Sequence, residues 1–191
     1  MFQNKILEGL SKVPFYVPVI IYVPVIVYFV YKAIFESGMN VLQFCGFYAM
    51  GLFLWTVTEY FLHRYIFHYV PKSGWGLRLH FIFHGVHHDY PRDDKRLVMP
   101  PSASIPIAAG FYFLFSMILN KSQLYSFFPG FVTGYLVYDM MHYAMHHYNF
   151  KSSLMKRIKQ RHMLHHYSDS SKGYGVSSSL WDKIFHSDFL K

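Results

Sequence analysis

The sequence predicts an all-α integral membrane protein, a single domain over residues 1–191 in which four transmembrane helices carry a cytoplasmic helical cap with a histidine-rich dimetal site. Three observations predict this class. Hydrophobic residues make up 53% of the chain and charged residues only 15%, whereas about a quarter of a soluble domain is charged. The apolar residues occur in long stretches, and ten of the 13 histidines fall into four short clusters.

The first two apolar stretches are long enough to cross a membrane. Residues 13–35 contain one charge, Lys32, and residues 41–62 contain one, Glu59, each near the end of its stretch. About 20 apolar residues in a helix cross a hydrocarbon core of roughly 30 Å. Three prolines in the first span are expected to bend it, which membrane helices tolerate better than soluble ones.

A second apolar pair follows at residues 105–119 and 124–141, joined by a short polar turn. The later stretch has the length of a span. The earlier one has only 15 residues, so it is either a thin crossing or a re-entrant segment. Four crossings would place the N-terminus and the cap, residues 63–104 and 142–191, on the same side of the membrane.

Basic residues are distributed unequally between the two sides of this topology. All but Lys32 and Lys121 of the 18 Lys and Arg residues fall on the side of the cap. By the positive-inside rule the cap lies in the cytoplasm, at a bacterial inner membrane in the first place and at the endoplasmic reticulum as the alternative. The net charge of +8 then faces lipid headgroups, and no nucleic-acid partner is expected.

The histidine clusters predict a dinuclear metal site. Imidazole is the commonest protein metal ligand, and a spacing of three or four residues puts two side chains on one helix face. Ten such ligands exceed the need of one ion and suit two. The single cysteine, Cys45, excludes a cysteine zinc site and an internal disulfide. The expected metal ligands are His63, His68, His84, His87, His88, His142, His146, His162, His165 and His166.

The spacing also indicates which ligands act together. His63 and His68 are five residues apart, which is roughly 140° around an α-helix, so this pair could address two different ions. Histidines that are four residues apart share one helix face. His80 lies one turn before His84 and is the first substitute ligand, whereas His186 is expected to take no part.

Two carboxylates precede a cluster by one helical turn, Glu59 before His63 and Asp139 before His142. Each is a candidate to accept a hydrogen bond from the N–H of a ligand and so to orient its ring. A capping or charge-pairing role is the alternative for both carboxylates.

Two charged stretches lie in the cap. Residues 93–96 directly follow the second cluster, and they form a solvated surface, a headgroup contact or an anchor for the loop. The basic residues within 151–161 either face lipid phosphates or steer an acidic electron donor toward the protein.

The ligand type alone does not choose the metal, since imidazole serves zinc, copper, nickel and iron. A zinc hydrolase would carry a His-Glu-x-x-His helix, and no cluster contains a glutamate. A site at a membrane face, lined by Phe and Tyr, suits oxidative attack on an apolar substrate, for which iron is the usual metal. A membrane metal-binding or transport protein is the non-enzymatic alternative, although transport calls for polar ligands in mid-span.

The cluster pattern resembles the histidine boxes of the fatty acid hydroxylase superfamily, and two longer strings narrow the resemblance to its fatty acid 2-hydroxylase, or sphingolipid alpha-hydroxylase, family. The string HGVHHDYPRDDKRLVMPP at residues 84–101 is similar to the loop after that family's second box. The string GYGVSSSLWDKIF at residues 173–185 is similar to its C-terminal segment, and Tyr138-Asp139 fits as well. The resemblance covers about residues 55–186.

The resemblance implies an O2-dependent monooxygenase that hydroxylates C2 of a long-chain fatty acyl group of a ceramide or a free fatty acid. It implies two iron ions held by the ten cluster histidines. Zinc could displace iron in a purified sample without changing the fold, since imidazole binds both metals. Many eukaryotic members carry an N-terminal cytochrome b5 domain. About a dozen residues precede the first span here, so a separate electron donor such as cytochrome b5 or a ferredoxin is expected. A carotenoid or sterol hydroxylase or desaturase is the alternative within the superfamily.

Overall fold

The structure is a computed structural model that describes residue 8 and residues 11–189, and the regular structure of these residues is entirely helical. This agrees with the predicted all-α class. Two short π-helical turns interrupt the α-helices. The elements are α1 (Val17–Phe35), α2 (Val41–Phe61), π1 (Leu62–Phe67), α3 (Gly74–His80), π2 (Phe81–Gly85), α4 (Val86–Asp89), α5 (Pro101–Ser116), α6 (Lys121–His147), α7 (Ser153–Tyr167) and α8 (Leu180–Ile184).

Two of these segments are long and apolar enough to span a membrane, α1 with 19 residues and the continuous segment Val41–Phe67 with 27. Both carry large apolar side chains on their outer surface, among them Val27, 60% exposed, and Leu42, 83% exposed. Such contiguous apolar surface suits contact with lipid. The first helix begins at Val17, four residues later than the apolar stretch, and only Pro24 lies in its interior.

The predicted third span corresponds to α5, which runs over Pro101–Ser116 and starts with a proline in its first turn. Proline suits this position because its missing N–H would have no partner there. Sixteen residues extend only about 24 Å at 1.5 Å per residue, which is shorter than the hydrocarbon core. The number of crossings and the side on which the cap lies therefore stay predictions.

The predicted fourth span and the third histidine cluster form one helix, α6, which lies at the centre of the bundle. Asn120 caps it, and the side chain of Gln123 accepts from the Asn120 N–H in return. The helix begins inside the stretch that the sequence marks as a polar turn. Its buried face packs against α1, α2 and α5 through an aromatic core, which includes Tyr22, Trp55, Phe115, Phe127, Phe128, Phe131, Tyr135 and Tyr138.

Glycines let α2 and α6 pack so closely that the backbones of the two helices are in contact. A Cβ atom added to Gly51 would overlap the carbonyl oxygen of Phe127, and one added to Gly130 would overlap that of Tyr48. Small residues at such a crossing are typical of packed membrane helices. The close packing fixes π1 at the end of α2 beside the C-terminal end of α6, where the histidines lie.

Candidate metal centre

The structure brings the ten cluster histidines together in two groups of five. Within each group, the nitrogens that could bind a metal lie within 4.8 Å of one another. The groups adjoin, since the rings of His88 and His166, one from each group, are 4.3 Å apart. The first histidine group is His63, His68, His84, His88 and His165, and the second histidine group is His87, His142, His146, His162 and His166.

The π-helical turn π1 explains how His63 and His68 come to share a group. The N–H of His68 donates to the carbonyl of His63 at 3.2 Å, the i→i+5 bond of a π-helix. Residues five apart then lie one above the other, and the Nε2 atoms of the two rings are 3.2 Å apart. The expectation that this pair serves two ions is wrong, because it assumed α-helical geometry.

Each cluster of three histidines divides between the two groups. In the second cluster, His84 and His88 join the first group while His87 joins the second. In the fourth cluster, His162 and His166 join the second group and His165 joins the first. The first and last histidines of each cluster are four residues apart and share a helix face, whereas the middle histidine points in another direction. The helix α7 and the π2–α4 segment therefore each contribute to both groups.

The distances between ring nitrogens fit a coordination shell. In the first group, the Nε2 of His84 lies 3.0 Å from that of His68 and 2.8 Å from that of His88. In the second group, the Nε2 pairs His87–His142 and His146–His162 are each 2.7 Å apart. Two nitrogens bound to one metal at about 2.1 Å and at right angles are roughly 3 Å apart. The residues therefore fit a metal ion in each group.

Two backbone carbonyls fix rings of the first group. His63 donates from Nδ1 to the carbonyl of Tyr174 at 2.5 Å, and His165 donates from Nδ1 to the carbonyl of Lys172 at 2.6 Å. Because a carbonyl only accepts, each Nδ1 carries the proton and each Nε2 keeps its lone pair for a metal. In the second group, the Nδ1 atoms of His87, His162 and His166 are buried and have no partner among the described residues.

Burial keeps the histidines of the two groups that lie outside the spans in the neutral form. Burial, and after it the neighbouring imidazoles, lower the pKa of His68 to about 3 and the pKa of His88 to about 4. The same causes lower the pKa values of His87 and His162 well below the ordinary histidine value. Neutral imidazole is the form that binds metal, so these groups are ready to bind without first losing a proton.

Glu59 and Asp139 lie near the centre but do not hold a ligand ring. Glu59 accepts from the N–H groups of Val176 and Ser177 at 2.8 and 2.7 Å. Asp139 accepts from the N–H of Met99 at 3.2 Å and from the hydroxyl of Tyr135 at 3.1 Å. Within the described part of the chain neither accepts from a histidine, caps a helix or joins an ion pair, so neither the ligand-orienting role nor its alternative is seen. Each carboxylate anchors a loop that borders the centre.

The sequence reasoning missed the carbonyls that orient His63 and His165, because a backbone carbonyl leaves no signal in the residue type. The loop that supplies one of them is held by Asp182, which accepts from the N–H groups of Tyr174 and Gly175 at 2.9 and 2.8 Å. His80, His147 and His186 belong to neither group, so the suggested substitute role of His80 finds no support in its position.

A small cavity of about 50 Å³ borders both groups, since His84 of the first and His87 and His142 of the second line it. A second cavity of about 250 Å³ lies deeper in the bundle and is almost entirely apolar. Phe67 and Met99 line both cavities. The two cavities therefore adjoin at these two side chains, one beside the histidines and the other in the apolar part of the bundle.

Comparisons with known proteins agree on one family. The family model "Fatty acid hydroxylase" matches residues 48–187. The dihydroceramide fatty acyl 2-hydroxylase FAH1 of Arabidopsis thaliana is 35% identical over 96% of this chain and 77% of its own length. The ceramide very long chain fatty acid hydroxylase scs7 of Schizosaccharomyces pombe is 37% identical, over 97% of this chain and 53% of its own.

A solved structure of full-length scs7p, in which only the hydroxylase domain is visible, has the same fold. It superimposes with a TM-score of 0.93 at 37% sequence identity and covers 99% of this chain and 71% of that chain. The human fatty acid 2-hydroxylase is 34% identical, and this chain spans about half of it, 55%. The relatives named here are eukaryotic, so they give no support to a bacterial inner membrane.

Proposed function

Because this chain belongs to the fatty acid hydroxylase family, we propose that it is an O2-dependent monooxygenase that hydroxylates C2 of a long-chain fatty acyl group. The named relatives act on acyl groups of dihydroceramide or ceramide, or on fatty acids. An N-acyl sphingoid lipid is accordingly the proposed substrate. These names also favour an acyl hydroxylase over a carotenoid or sterol enzyme.

One observation carries the proposal: two adjoining groups of five histidines border a small cavity, and a larger apolar cavity lies next to it. The ten histidines would hold two metal ions, which we propose to be iron, with zinc able to occupy the same nitrogens. Iron ions held there would supply the activation of O2, with electrons from a separate donor. The histidines gather at one end of the bundle, and this supports an enzyme rather than a transporter, which would need ligands along a path through the membrane.

The apolar cavity offers a place for the acyl chain. Trp55, Phe131 and Val132 line it deep in the bundle, while Phe67 and Met99 form the wall that it shares with the small cavity at the histidines. A chain whose tail lies in the apolar cavity has its polar end toward the histidines. C2 adjoins the polar end, so this placement presents C2 rather than a mid-chain carbon to the centre. The apolar walls also exclude water from the reacting end.

We further propose that α1, α2, α5 and α6 cross the membrane, most simply that of the endoplasmic reticulum, with the cap and the centre on its cytoplasmic face. Electrons would come from a separate protein such as cytochrome b5 or a ferredoxin. The exposed basic side chains of α7, Lys156 and Arg157, support docking of an acidic donor.

The test is expression in cells that lack 2-hydroxylated lipids, with an electron donor supplied and lipids analysed by mass spectrometry. The wild-type chain is expected to produce 2-hydroxyacyl lipids. The variant His165→Ala should produce none, whereas His186→Ala, at a histidine outside both groups, should remain active. Mid-chain double bonds or hydroxylated carotenoids in place of 2-hydroxy lipids would contradict the proposal.

A further inference from the structure

The small cavity beside the histidines must hold more than C2. The carbonyl carbon C1 is bonded to C2, so a substrate that reacts at C2 also brings its carbonyl oxygen into or beside this cavity. An oxygen that leaves water for a mostly apolar cavity needs a hydrogen-bond donor to replace that water. Apart from the ligand histidines, the polar side chains that line the cavity are those of Ser11, Arg96, Tyr138 and Asp139.

Two of these four side chains are already committed. The hydroxyl of Ser11 donates to the carbonyl of Glu8 at 2.9 Å. Both oxygens of Asp139 are engaged, since one accepts from the N–H of Met99 and the other from the hydroxyl of Tyr135. Arg96 and Tyr138 remain as donors, and of the two only Arg96 is charged. Hydrogen bonds from a charged donor are roughly twice as strong as those between neutral groups.

Arg96 is fixed in place in a way that surface arginines are not. Its side chain is 13% exposed. One terminal nitrogen donates to Asp93 and the other to Glu8, both at 2.5 Å. The loop that carries it is also bonded to the chain before α1, since the N–H of Val13 donates to the carbonyl of Lys95 at 2.7 Å. A side chain held on two sides can hold a substrate atom at a defined distance from the histidines.

The guanidinium also has donors to spare. It carries five N–H bonds, and its two ion pairs account for two of them. The Nε atom is buried and has no partner among the residues that the structure describes. Because Glu8 and Asp93 already balance the positive charge, the remaining donors suit an uncharged oxygen better than a third carboxylate.

We propose that Arg96 binds the C1 carbonyl oxygen of the acyl substrate and so sets C2 beside His84, His87 and His142, and that this favours a neutral amide carbonyl over a free fatty acid. The proposal rests on the proposed function, since it takes C2 as the reacting carbon. It assigns to Arg96 a contact with substrate and to the loop of residues 93–96 the role of holding that contact.

The experiment compares an N-acyl lipid with its ether analogue, in which CH2–O replaces C(=O)–NH. The analogue lacks both the carbonyl oxygen and the amide N–H, so the part of the preference that depends on Arg96 is read from the Arg96 variants. Binding is measured on the purified, metal-loaded protein by displacement of a fluorescent N-acyl probe, so the readout does not depend on turnover. Wild-type protein is expected to bind the amide about tenfold or more tightly than the ether, as a hydrogen bond to a charged group predicts. In Arg96→Met the ratio should fall to near one.

Matched variants separate this contact from a structural effect. Lys95→Met removes the same charge from the neighbouring, exposed residue, and it should keep the wild-type ratio. Arg96→Lys keeps the charge but loses the planar guanidinium group with its several N–H donors, so an intermediate ratio of affinities is expected. Metal content is measured for every variant. If Arg96→Met loses its metal, the ratio of amide to ether affinities is compared in Arg96→Lys and Arg96→Gln instead.

Turnover gives a second readout. With C1 no longer held, Arg96→Met should form a larger share of 3-hydroxy product than the wild type. The proposal would be overturned if metal-loaded Arg96 variants still bound the amide more tightly than the ether. It would also be overturned if Tyr138→Phe lost this preference while the Arg96 variants kept it. Wild-type protein that forms no 2-hydroxy product would instead refute the proposed function, while the ratio of binding affinities would still report on Arg96.

Discussion

The two histidine groups differ in the hydrogen-bond partners of their Nδ1 atoms, which lie on the outer side of the imidazole rings. In the first group, His63 and His165 donate to carbonyls that the chain holds in place. In the second group, the Nδ1 atoms of His87, His162 and His166 are buried without a partner among the described residues. Partners of this kind fix the ring and raise its basicity, and losing one costs about 10–100-fold in metal affinity.

A chelator should therefore remove metal from the second histidine group first. We expect protein loaded with two ions per chain to pass through a species with one ion during a titration with chelator. Metal analysis gives the number of ions, and anomalous scattering from crystals at the midpoint gives their position. Residual metal found among His87, His142 and His162 rather than at His63 and His165 would contradict this order.

The residue types in the sequence were enough to identify the ten histidines that the structure assembles, because imidazoles at helical spacing carry a strong signal. They were not enough to find the partners of those rings. Glu59 and Asp139 were expected to orient ligands from their position one turn earlier, yet their oxygens bind other groups. The carbonyls of Tyr174 and Lys172 take that role in the first group, and any residue type could supply a carbonyl.

At the scale of the element, π1 decides how the first cluster is used. An α-helix through this segment would separate His63 and His68, whereas the i→i+5 bond of the π-helix aligns them. The sequence could not indicate this, since a π-helical turn has no residue signature comparable to a capping box. The other paired ligands are four residues apart and follow from ordinary helical periodicity, as His142 and His146 do.

A change of chain length in π1 tests this register. Deleting Ile66, which is 61% exposed, converts the spacing of His63 and His68 to four, the spacing at which an α-helix aligns two side chains. Duplicating Ile66 makes the spacing six, which neither helix type aligns. We expect the deletion variant to retain two metal ions per chain and the duplication variant to lose the ion of the first group.

Metal content by plasma mass spectrometry distinguishes the two outcomes, with Ile66→Ala as the control that keeps the spacing. Equal loss of metal in the deletion and duplication variants would show that the centre needs the five-residue register itself. In that case the loop after His68 cannot absorb the shift of one residue.

At the scale of the whole molecule, the backbone contact between α2 and α6 holds the centre together, because α2 leads directly into the first histidine cluster and α6 ends in the third. Gly51→Ala should destabilise the protein, since its methyl group would meet the backbone of Phe127; overpacking of this kind costs about 1–3 kcal/mol. Gly46→Ala lies in the same helix with nothing within 4 Å of the added atom. It should be neutral or stabilising by up to about 1 kcal/mol.

Thermal unfolding in detergent, with the same metal load for both variants, compares these two substitutions. A Tm lowered equally by Gly46→Ala and Gly51→Ala would mean that helix propensity or lipid contact, rather than the approach of α2 to α6, sets the stability.

The membrane topology is the remaining prediction at this scale. Helix length supports two crossings, by α1 and by Val41–Phe67, while the distribution of charge predicts four. The sequence could not decide whether α5 and α6 cross the membrane. The apolar stretch of α5 is short, and α6 contains polar residues that are buried among other helices. The bundle nonetheless has two distinct ends. Ser122 donates to the carbonyl of Ser37 at 3.1 Å, so the turns before α2 and α6 meet at the end away from the histidines.

Labelling of single cysteines tests the four-span topology directly. The chain has one cysteine, Cys45, which is exposed, so Cys45→Ser gives a background without reactive thiols. We expect Lys121→Cys to react with an impermeant maleimide from the lumenal side and Lys172→Cys only after the membrane is permeabilised. The positive-inside rule is the reason, because Lys32 and Lys121 are the only Lys or Arg residues assigned to the lumenal side. Labelling of both cysteines from the same side would exclude four crossings, because α6, which lies between the two residues in the chain, would then not cross the membrane.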